Sequence, residues 1–238
     1  MNHIGLDMGV IWSRLSQNPA YTDATNQAIE LLRDPNHFQW YIVPIFVAVF
    51  YIYFTEIEKK NWNVVLAGLA FWGVEWFFEI LNALFLTAHG TSALWTTPCV
   101  NNATGVVNSA YNILVGLNIE ISLMFLFMGV VFAKALPQDK KRKILGINNR
   151  TFLALLFAIL CVGTEIVLNF WDALIWEYPW WNWYNPVLII GLAYFPLIRS
   201  SFAVYDLKPR KTQIGFVAAM YAVDAVLLIV FMGILGWI

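Results

Sequence analysis

Gly73-Val74-Glu75-Trp76-Phe77-Phe78-Glu79-Ile80-Leu81-Asn82-Ala83-Leu84 sets two carboxylates and an amide inside an apolar run long enough to cross a bilayer. The arrangement returns as Gly163-Thr164-Glu165-Ile166-Val167-Leu168-Asn169-Phe170-Trp171-Asp172-Ala173-Leu174. The shared pattern is Gly-x-Glu-x-x-x-(Glu/Asn)-x-x-(Asn/Asp)-Ala-Leu. At about 100° per helical residue, positions i, i+4 and i+7 fall within about 60° of one another. Each copy is therefore expected to present three polar groups on one helix face.

The background around these copies decides the fold class. Of the 238 residues, 60% are hydrophobic, 17% aromatic and only 12% charged, with a mean hydropathy of +0.65. A soluble domain carries about twice that share of charge. The expectation is an all-α integral membrane protein with six transmembrane helices, since about 20 apolar residues are needed per crossing. The candidate spans are residues 40–55, 64–88, 111–136, 152–176, 186–204 and 214–238, the first and fifth being the shortest. A net charge of -1 gives no reason to expect nucleic acid as a partner.

Lys and Arg near span ends set orientation. Lys59 and Lys60 follow the first span; Lys134, Lys140, Lys141, Arg142, Lys143 and Arg150 lie between the third and fourth; Arg199, Lys208, Arg210 and Lys211 lie between the fifth and sixth. Arg14 and Arg33 stand on the other side. Both termini are then extracytoplasmic, in the plasma (inner) membrane, and the start has no pattern of a secretory signal peptide. Residues 1–39 read as an extracytoplasmic interfacial segment, and 40–238 as one six-helix domain. Within the former, Pro19 and Pro35 bracket a helix from Asp23 to Arg33. Its apolar stripe of Ala24, Ala28, Ile29, Leu31 and Leu32 suits either the interface or packing on the loops. Cys99 and Cys161 are too far apart in depth, by roughly 22 Å of helix, to form a disulfide.

Further polar groups lie in the remaining spans. Asn108, Asn112, Gly116 and Glu120 recur at four-residue steps and are expected to share a face, with Gly116 allowing close approach. Asp224 falls near mid-membrane in the last span. The basic stretch 137–150 reads as a topology determinant that meets anionic headgroups. Asn102-Ala103-Thr104 matches a glycosylation sequon. From Trp176 the chain runs Trp176-Glu177-Tyr178-Pro179-Trp180-Trp181-Asn182-Trp183-Tyr184-Asn185-Pro186. That run is dense enough to wall a cavity mouth as well as to anchor in an interface. Trp95-Thr96-Thr97-Pro98 and Trp183-Tyr184-Asn185-Pro186 occupy comparable positions after the two motif copies. They fit a parallel repeat of spans two and three against four and five.

Six acids, Glu75, Glu79, Glu120, Glu165, Asp172 and Asp224, thus fall in apolar spans with basic residues only at the cytoplasmic ends. An ionised side chain at a span centre costs about 2.5 to 3.5 kcal/mol on insertion scales. Six would cost roughly 15 to 20 kcal/mol, against a typical fold stability of about 5 to 15 kcal/mol. Glu75, Glu120, Glu165 and Asp224 are expected deepest, with Glu79, Asn82, Asn169, Asp172 and Asn112 nearer the outside. The outcome is a polar pocket open to the extracytoplasmic side over an apolar floor. Trp72, Phe78 and Trp176 add π faces that stabilise positive charge. Asn82, Asn169 and Asn112 would orient a substrate, and His89 sits by angle on the Glu75 face at the outer end.

The hard oxygen donors suit Mg²⁺, Ca²⁺ or Mn²⁺, with Glu75, Glu79, Glu165 and Asp172 as ligands if a divalent cation binds. The pattern requires no cofactor. Heme, zinc and a histidine-rich di-iron centre are disfavoured, because only His3, His37 and His89 exist and none lies mid-membrane. The leading functional expectation is an intramembrane enzyme acting on a lipid or isoprenoid by histidine-independent acid/base chemistry: a lyase, isomerase, cyclase or hydrolase. Glu75 and Glu165 are its proton donors, and Glu79 and Asp172 its base or cation-stabilising members. In site chemistry alone this is similar to membrane terpene cyclases and sterol isomerases. The alternatives are a cation- or proton-coupled transporter or channel, and a non-catalytic subunit of a membrane complex. Against transport, the spans show no obvious Gly or Pro interruption beside the acids. The partners expected are the bilayer and an apolar or cationic small molecule, with a homo-oligomer or larger complex left open.

Overall fold

The computed structural model describes residues 20–98 and 109–238. The readings of His3, Arg14, Pro19, Cys99, Asn108 and the sequon at Asn102 lie outside the described residues. The molecule is a helical bundle around one central post. A short helix α1 (Asp23–Glu30) precedes α2 (Ile42–Glu58), α3 (Trp62–His89), α4 (Ile119–Lys134) and α5 (Asn149–Phe170). A π-helical segment, Ile189–Tyr194, runs directly into α6 (Phe195–Asp206). Helix α7 (Arg210–Leu227) continues into a second π segment, Leu228–Ile234. Two small antiparallel hairpins precede α4 and α5: β1 (Asn112–Leu114) with β2 (Leu117–Asn118), and β3 (Lys143–Ile144) with β4 (Ile147–Asn148).

Among the described residues three helices are long and apolar enough to cross a membrane: Trp62–His89, Asn149–Phe170 and Arg210–Ile234. They differ in surroundings. The apolar window of α3 is 67% buried, against 22% for α5 and 11% for α7, so α3 is the post and the other two turn most of their surface outward. Around α3, Ala67, Ala70 and Phe71 are fully covered. A Cβ on Gly129 of α4 would come within 2.9 Å of the Gly68 backbone, so only a glycine lets α3 and α4 meet there. Polar ties fix the neighbours. The Ser201 hydroxyl donates to Ala67 O (2.9 Å), Tyr221 to Leu69 O (3.1 Å) and Tyr53 to Leu126 O (2.9 Å). At its far end α3 stops at Gly90, whose φ of +77° places it in the left-handed region and whose N–H returns to Leu86 O.

Two expected helices are shorter than the apolar runs that contain them. Residues 111–118 form the β1–β2 hairpin, and the Asn118 side chain accepts from Ile121 N (2.8 Å), which starts α4 only at Ile119. Asn112, Gly116 and Glu120 therefore do not share a helical face, and Glu120 lies in the first turn of α4 instead of mid-span. Helix α5 ends at Phe170 because Asp172 is left-handed (φ +54°). Asp172 N then bonds Asn169 O and Ala173 N bonds Leu168 O, a Schellman arrangement. Asp172 leaves the helix and is exposed, so the second motif copy presents two polar groups on its face where three were expected.

The end of the bundle where the basic residues gather is closed by ion pairs. Glu56, 1% exposed, accepts from Lys134 Nζ (2.6 Å) and Asn61 Nδ2 (2.8 Å). Arg150 forks onto Asp206, with Nε to Oδ2 at 3.0 Å and Nη2 to Oδ1 at 3.1 Å, while its Nη1 donates to Pro137 O. The basic stretch thus contributes one buried structural arginine in addition to exposed lysines. At the opposite end α1 is packed on the loops and the end of α3, with Ala28 and Ile29 among Ile80, Ala83 and Leu114.

Candidate functional site

Three of the motif carboxyls converge on one cavity. Glu75 and Glu79 come from successive turns of α3, and Glu165 comes from α5. Counted with the open solvent at its mouth the space is about 490 Å³, of which about 40 Å³ admits the centre of a water-sized molecule. Phe125 and Ile121 of α4, and Ile189, Ala193 and Leu197 of the π segment and α6, supply apolar walls. Trp95, Trp176 and Trp181, from the loops that follow α3 and α5, roof it. Trp95 and Trp181 are stacked, with ring centroids 6.1 Å apart.

Each carboxyl has a different set of partners. Glu79 accepts the Trp95 Nε1–H at both oxygens (2.9 and 3.0 Å). Glu165 accepts the Tyr194 hydroxyl at 2.6 Å. Glu75 is 3% exposed and neither oxygen has a hydrogen-bond partner. Trp181, 5% exposed, leaves its Nε1–H unpartnered at the same cavity. Behind Glu75, at the α3–α7 contact, Asp224 is also buried with both oxygens unpartnered. It lies near enough to Glu75 for the two to interact electrostatically, as do Glu75 with Glu79 and Glu79 with Glu165. Among the described residues no Lys, Arg or His pairs with any of the four.

The helix discontinuity explains how Tyr194 reaches its place. Pro196 lacks an N–H and cannot continue an ordinary α-helical ladder. The chain before it widens into the π turn, and Tyr194 at the end of that turn faces Glu165. Pro196 is therefore a proline interruption close to the acids, contrary to the expectation that the spans had none. Tyr194 is a site residue that the carboxylate pattern did not reveal, although a proline inside an apolar run was the available signal. Trp95 is placed by Asn82, whose Oδ1 accepts from Leu94 N and Trp95 N and whose Nδ2 donates to Trp95 O (2.8 Å). Gly116 makes room for that indole, since a Cβ there would meet Trp95 and Asn82 atoms at 2.4 to 2.6 Å.

Other expected site residues are engaged elsewhere. Asn82 is spent on the loop backbone. Asn112 donates to Thr97 O (2.7 Å) and Asn169 to Leu174 O (2.9 Å), so both brace turns. Glu120 accepts from the Tyr41 hydroxyl, Ala110 N and Ser109 Oγ, which ties α4 to the preceding segment and the start of α2. Trp72 donates to Ser122 Oγ (2.9 Å) and packs on Tyr221, away from the cavity. His89 stacks on Phe85 and contacts Thr91 Oγ1 and the Tyr178 hydroxyl at the exposed end of α3. Phe78 and Trp176 do line the cavity. Trp183 is exposed, so its correspondence with Trp95 does not extend to the site. As for a metal, among the described residues no three His, Cys, Asp or Glu side chains are grouped to hold an ion, and Asp172 stands apart from the three glutamates.

A helical bundle with three apolar spanning-length helices and a buried acidic cavity defines a membrane protein. Residues 22–233 match a family described as an uncharacterized membrane protein family, and the chain belongs to it. It is similar to a protein of Archaeoglobus fulgidus described as an uncharacterized protein, 46% identical over 217 residues, which covers 91% of this chain and 99% of that one. A second uncharacterized protein of the same organism is 38% identical over 53 residues, 22% of this chain and 95% of its own length. No solved structure matches the chain.

Proposed function

We propose that the protein is an intramembrane enzyme that acts on a lipid or isoprenoid substrate by carboxyl acid/base chemistry. In this reading six helices cross the plasma membrane, with the ion-paired basic end cytoplasmic, both termini extracytoplasmic and the tryptophan roof on the outer side. The observation that carries it is Glu75: a fully buried carboxyl, given no hydrogen bond by the protein, facing an apolar cavity beside two further glutamates. Glu75 is the proton donor, because its surroundings disfavour a charge there. Glu79, which accepts an indole N–H, is the base or the group that stabilises positive charge. Glu165, oriented by Tyr194, is the third member. Below them Phe71, Phe132, Ile198 and Phe202 form an apolar floor, which suits a membrane substrate better than a solute crossing to the other face.

The test compares lipid profiles of membranes carrying wild type, Glu75→Gln or Glu165→Gln at equal protein levels. A lipid species formed or consumed by wild type should change at least about a hundredfold more slowly in Glu75→Gln, the usual contribution of a general acid. Equal turnover in both variants would sink the assignment. A second reading, a proton- or cation-coupled transporter, draws on the two π segments at 189–194 and 228–234, since such interruptions occur where helices flex or bind. Cation-dependent uptake into proteoliposomes, with no change in any lipid, would select it.

A further inference from the structure

A second cavity adjoins the first, about 580 Å³ when open solvent is counted and about 150 Å³ for the centres of water-sized molecules. The two share Glu165, Tyr194, Ile121, Phe125 and Leu174 as common walls and form two neighbouring lobes. The second lobe runs between α4 and α5 and contains no acid other than Glu165; Met124, Met128, Phe132, Leu160 and Cys161 are among its walls. From Ile121 to Phe132 it follows eleven residues of α4, roughly 16 Å at 1.5 Å per residue. Leu160 is 57% exposed on the outward side of α5, so this lobe borders the bundle surface that meets the bilayer, whereas the first lobe is roofed by tryptophan. Methionine and phenylalanine make an adaptable apolar lining.

The polar ends of the first lobe restrict what the pair of lobes can hold. Glu75, protonated in the reading above, offers an O–H and a carbonyl oxygen with no partner, and Trp181 offers an N–H with no acceptor; both are more than nine-tenths buried. A hydroxyl meets both needs at once, since it donates one hydrogen bond and accepts another. An ammonium only donates and would leave the indole unpartnered. A phosphate or carboxylate would face three glutamates with no cation to offset the repulsion.

Resting on the enzyme reading above, we propose that the substrate is a single-chain lipid alcohol: its hydroxyl sits between Glu75 and Trp181, and its apolar chain lies along the α4–α5 lobe after lateral access from the bilayer. The probe is a long-chain primary alcohol carrying a photoactivatable diazirine near its tail, added to proteoliposomes of the full chain. Crosslinks should concentrate on Met124, Met128 and Leu160. Met128→Trp, which fills the lobe and leaves every carboxyl in place, should cut them at least about tenfold while folding is checked by an unchanged melting temperature. The milder Met128→Phe variant gives an intermediate cut and guards against misfolding of the first. Crosslinks spread over the outer faces of α2 and α7, or insensitive to both variants, would overturn the proposal. So would stronger labelling by the amine-headed analogue or by a two-chain phospholipid probe. Because labelling needs no turnover, a labelled lobe with no lipid chemistry would refute the enzyme reading alone. Chemistry lost in Glu75→Gln with an unlabelled lobe would refute this proposal alone.

Discussion

At the end of the bundle where Glu56, Lys134, Arg150 and Asp206 meet, buried charge is answered by opposite charge at 2.6 to 3.1 Å. Half a helix away Glu75, Glu79 and Asp224 are buried and Glu165 is half-buried, with no basic partner among the described residues. On the insertion scale four ionised acids would still cost about 10 to 14 kcal/mol. The difference separates two uses of polar residues in a membrane protein. The paired end fixes how helices meet; the centre leaves Glu75 and Asp224 with no hydrogen-bond partner in the protein.

This contrast is breakable. The largest effect is expected from Arg150→Met, which strips a buried fork from Asp206 and Pro137. It should cost about 3 kcal/mol, in line with breaking one side of a buried pair, read as denaturant or thermal stability of the purified protein. Gly116→Ala should follow at about 1 to 3 kcal/mol, because its Cβ overlaps the Trp95 indole and the Asn82 amide. Displacing Trp95 also frees Glu79, so lipid turnover should fall along with the melting temperature. Glu75→Gln should contrast with Arg150→Met: stability within about 1 kcal/mol of wild type, since one unpartnered neutral polar group replaces another. A loss as large as that of Arg150→Met would erase the distinction between the two regions.

The smallest effects come from two acids outside the spans, and they carry opposite signs. Hydrogen bonding from Lys134, aided by Asn61, holds Glu56 below its ordinary value of 4.5. Its folded state binds the proton more weakly, so its stabilisation is present above pH 4.5 and is lost as pH falls through the folded value. Burial raises Glu177 above 4.5, against hydrogen bonds from Thr22, Ser92 and Thr25. Its contribution is complete below pH 4.5 and is lost as pH rises through the folded value. A pH series of melting temperatures should lose slope below pH 4.5 in Glu56→Gln and above pH 4.5 in Glu177→Gln. Slopes altered on the same side of pH 4.5 would show that one assignment is wrong.

The acidic motif carried much of this in the sequence. Helical periodicity was enough to aim Glu75 and Glu79 together, and the second copy brought in Glu165. Periodicity failed where the backbone stopped being helical. The segment Tyr111-Asn112-Ile113-Leu114-Val115-Gly116-Leu117-Asn118 is apolar enough to read as the start of a span. Its glycine turn and terminal asparagine, however, are hairpin and cap signals. The later Lys143-Ile144-Leu145-Gly146-Ile147-Asn148 repeats the design, with Leu145 and Gly146 both at positive φ and Asn148 capping α5. Hydropathy cannot see such turns. Asp172 was misplaced for a related reason, since an aspartate tolerates the left-handed position that ends a helix. Trp95, Trp181 and Tyr194 depend on how loops and a π turn fold back, which no local spacing encodes.

The roof over the carboxyls is laced to its surroundings. Thr96 and Ile175 exchange two backbone hydrogen bonds (3.0 and 2.8 Å), Tyr178 donates to Ser92 O, and Thr22 at the start of α1 donates to Glu177 (2.8 Å). Lifting it would break this lattice as a unit, whereas parting α4 from α5 at the second lobe displaces apolar side chains. On the proposed lateral access, the bilayer and not the aqueous phase is the reservoir that fills the cavity. Occupancy would follow the mole fraction of the ligand among the surrounding lipids, and diluting the membrane with inert lipid would empty the site even at constant total ligand.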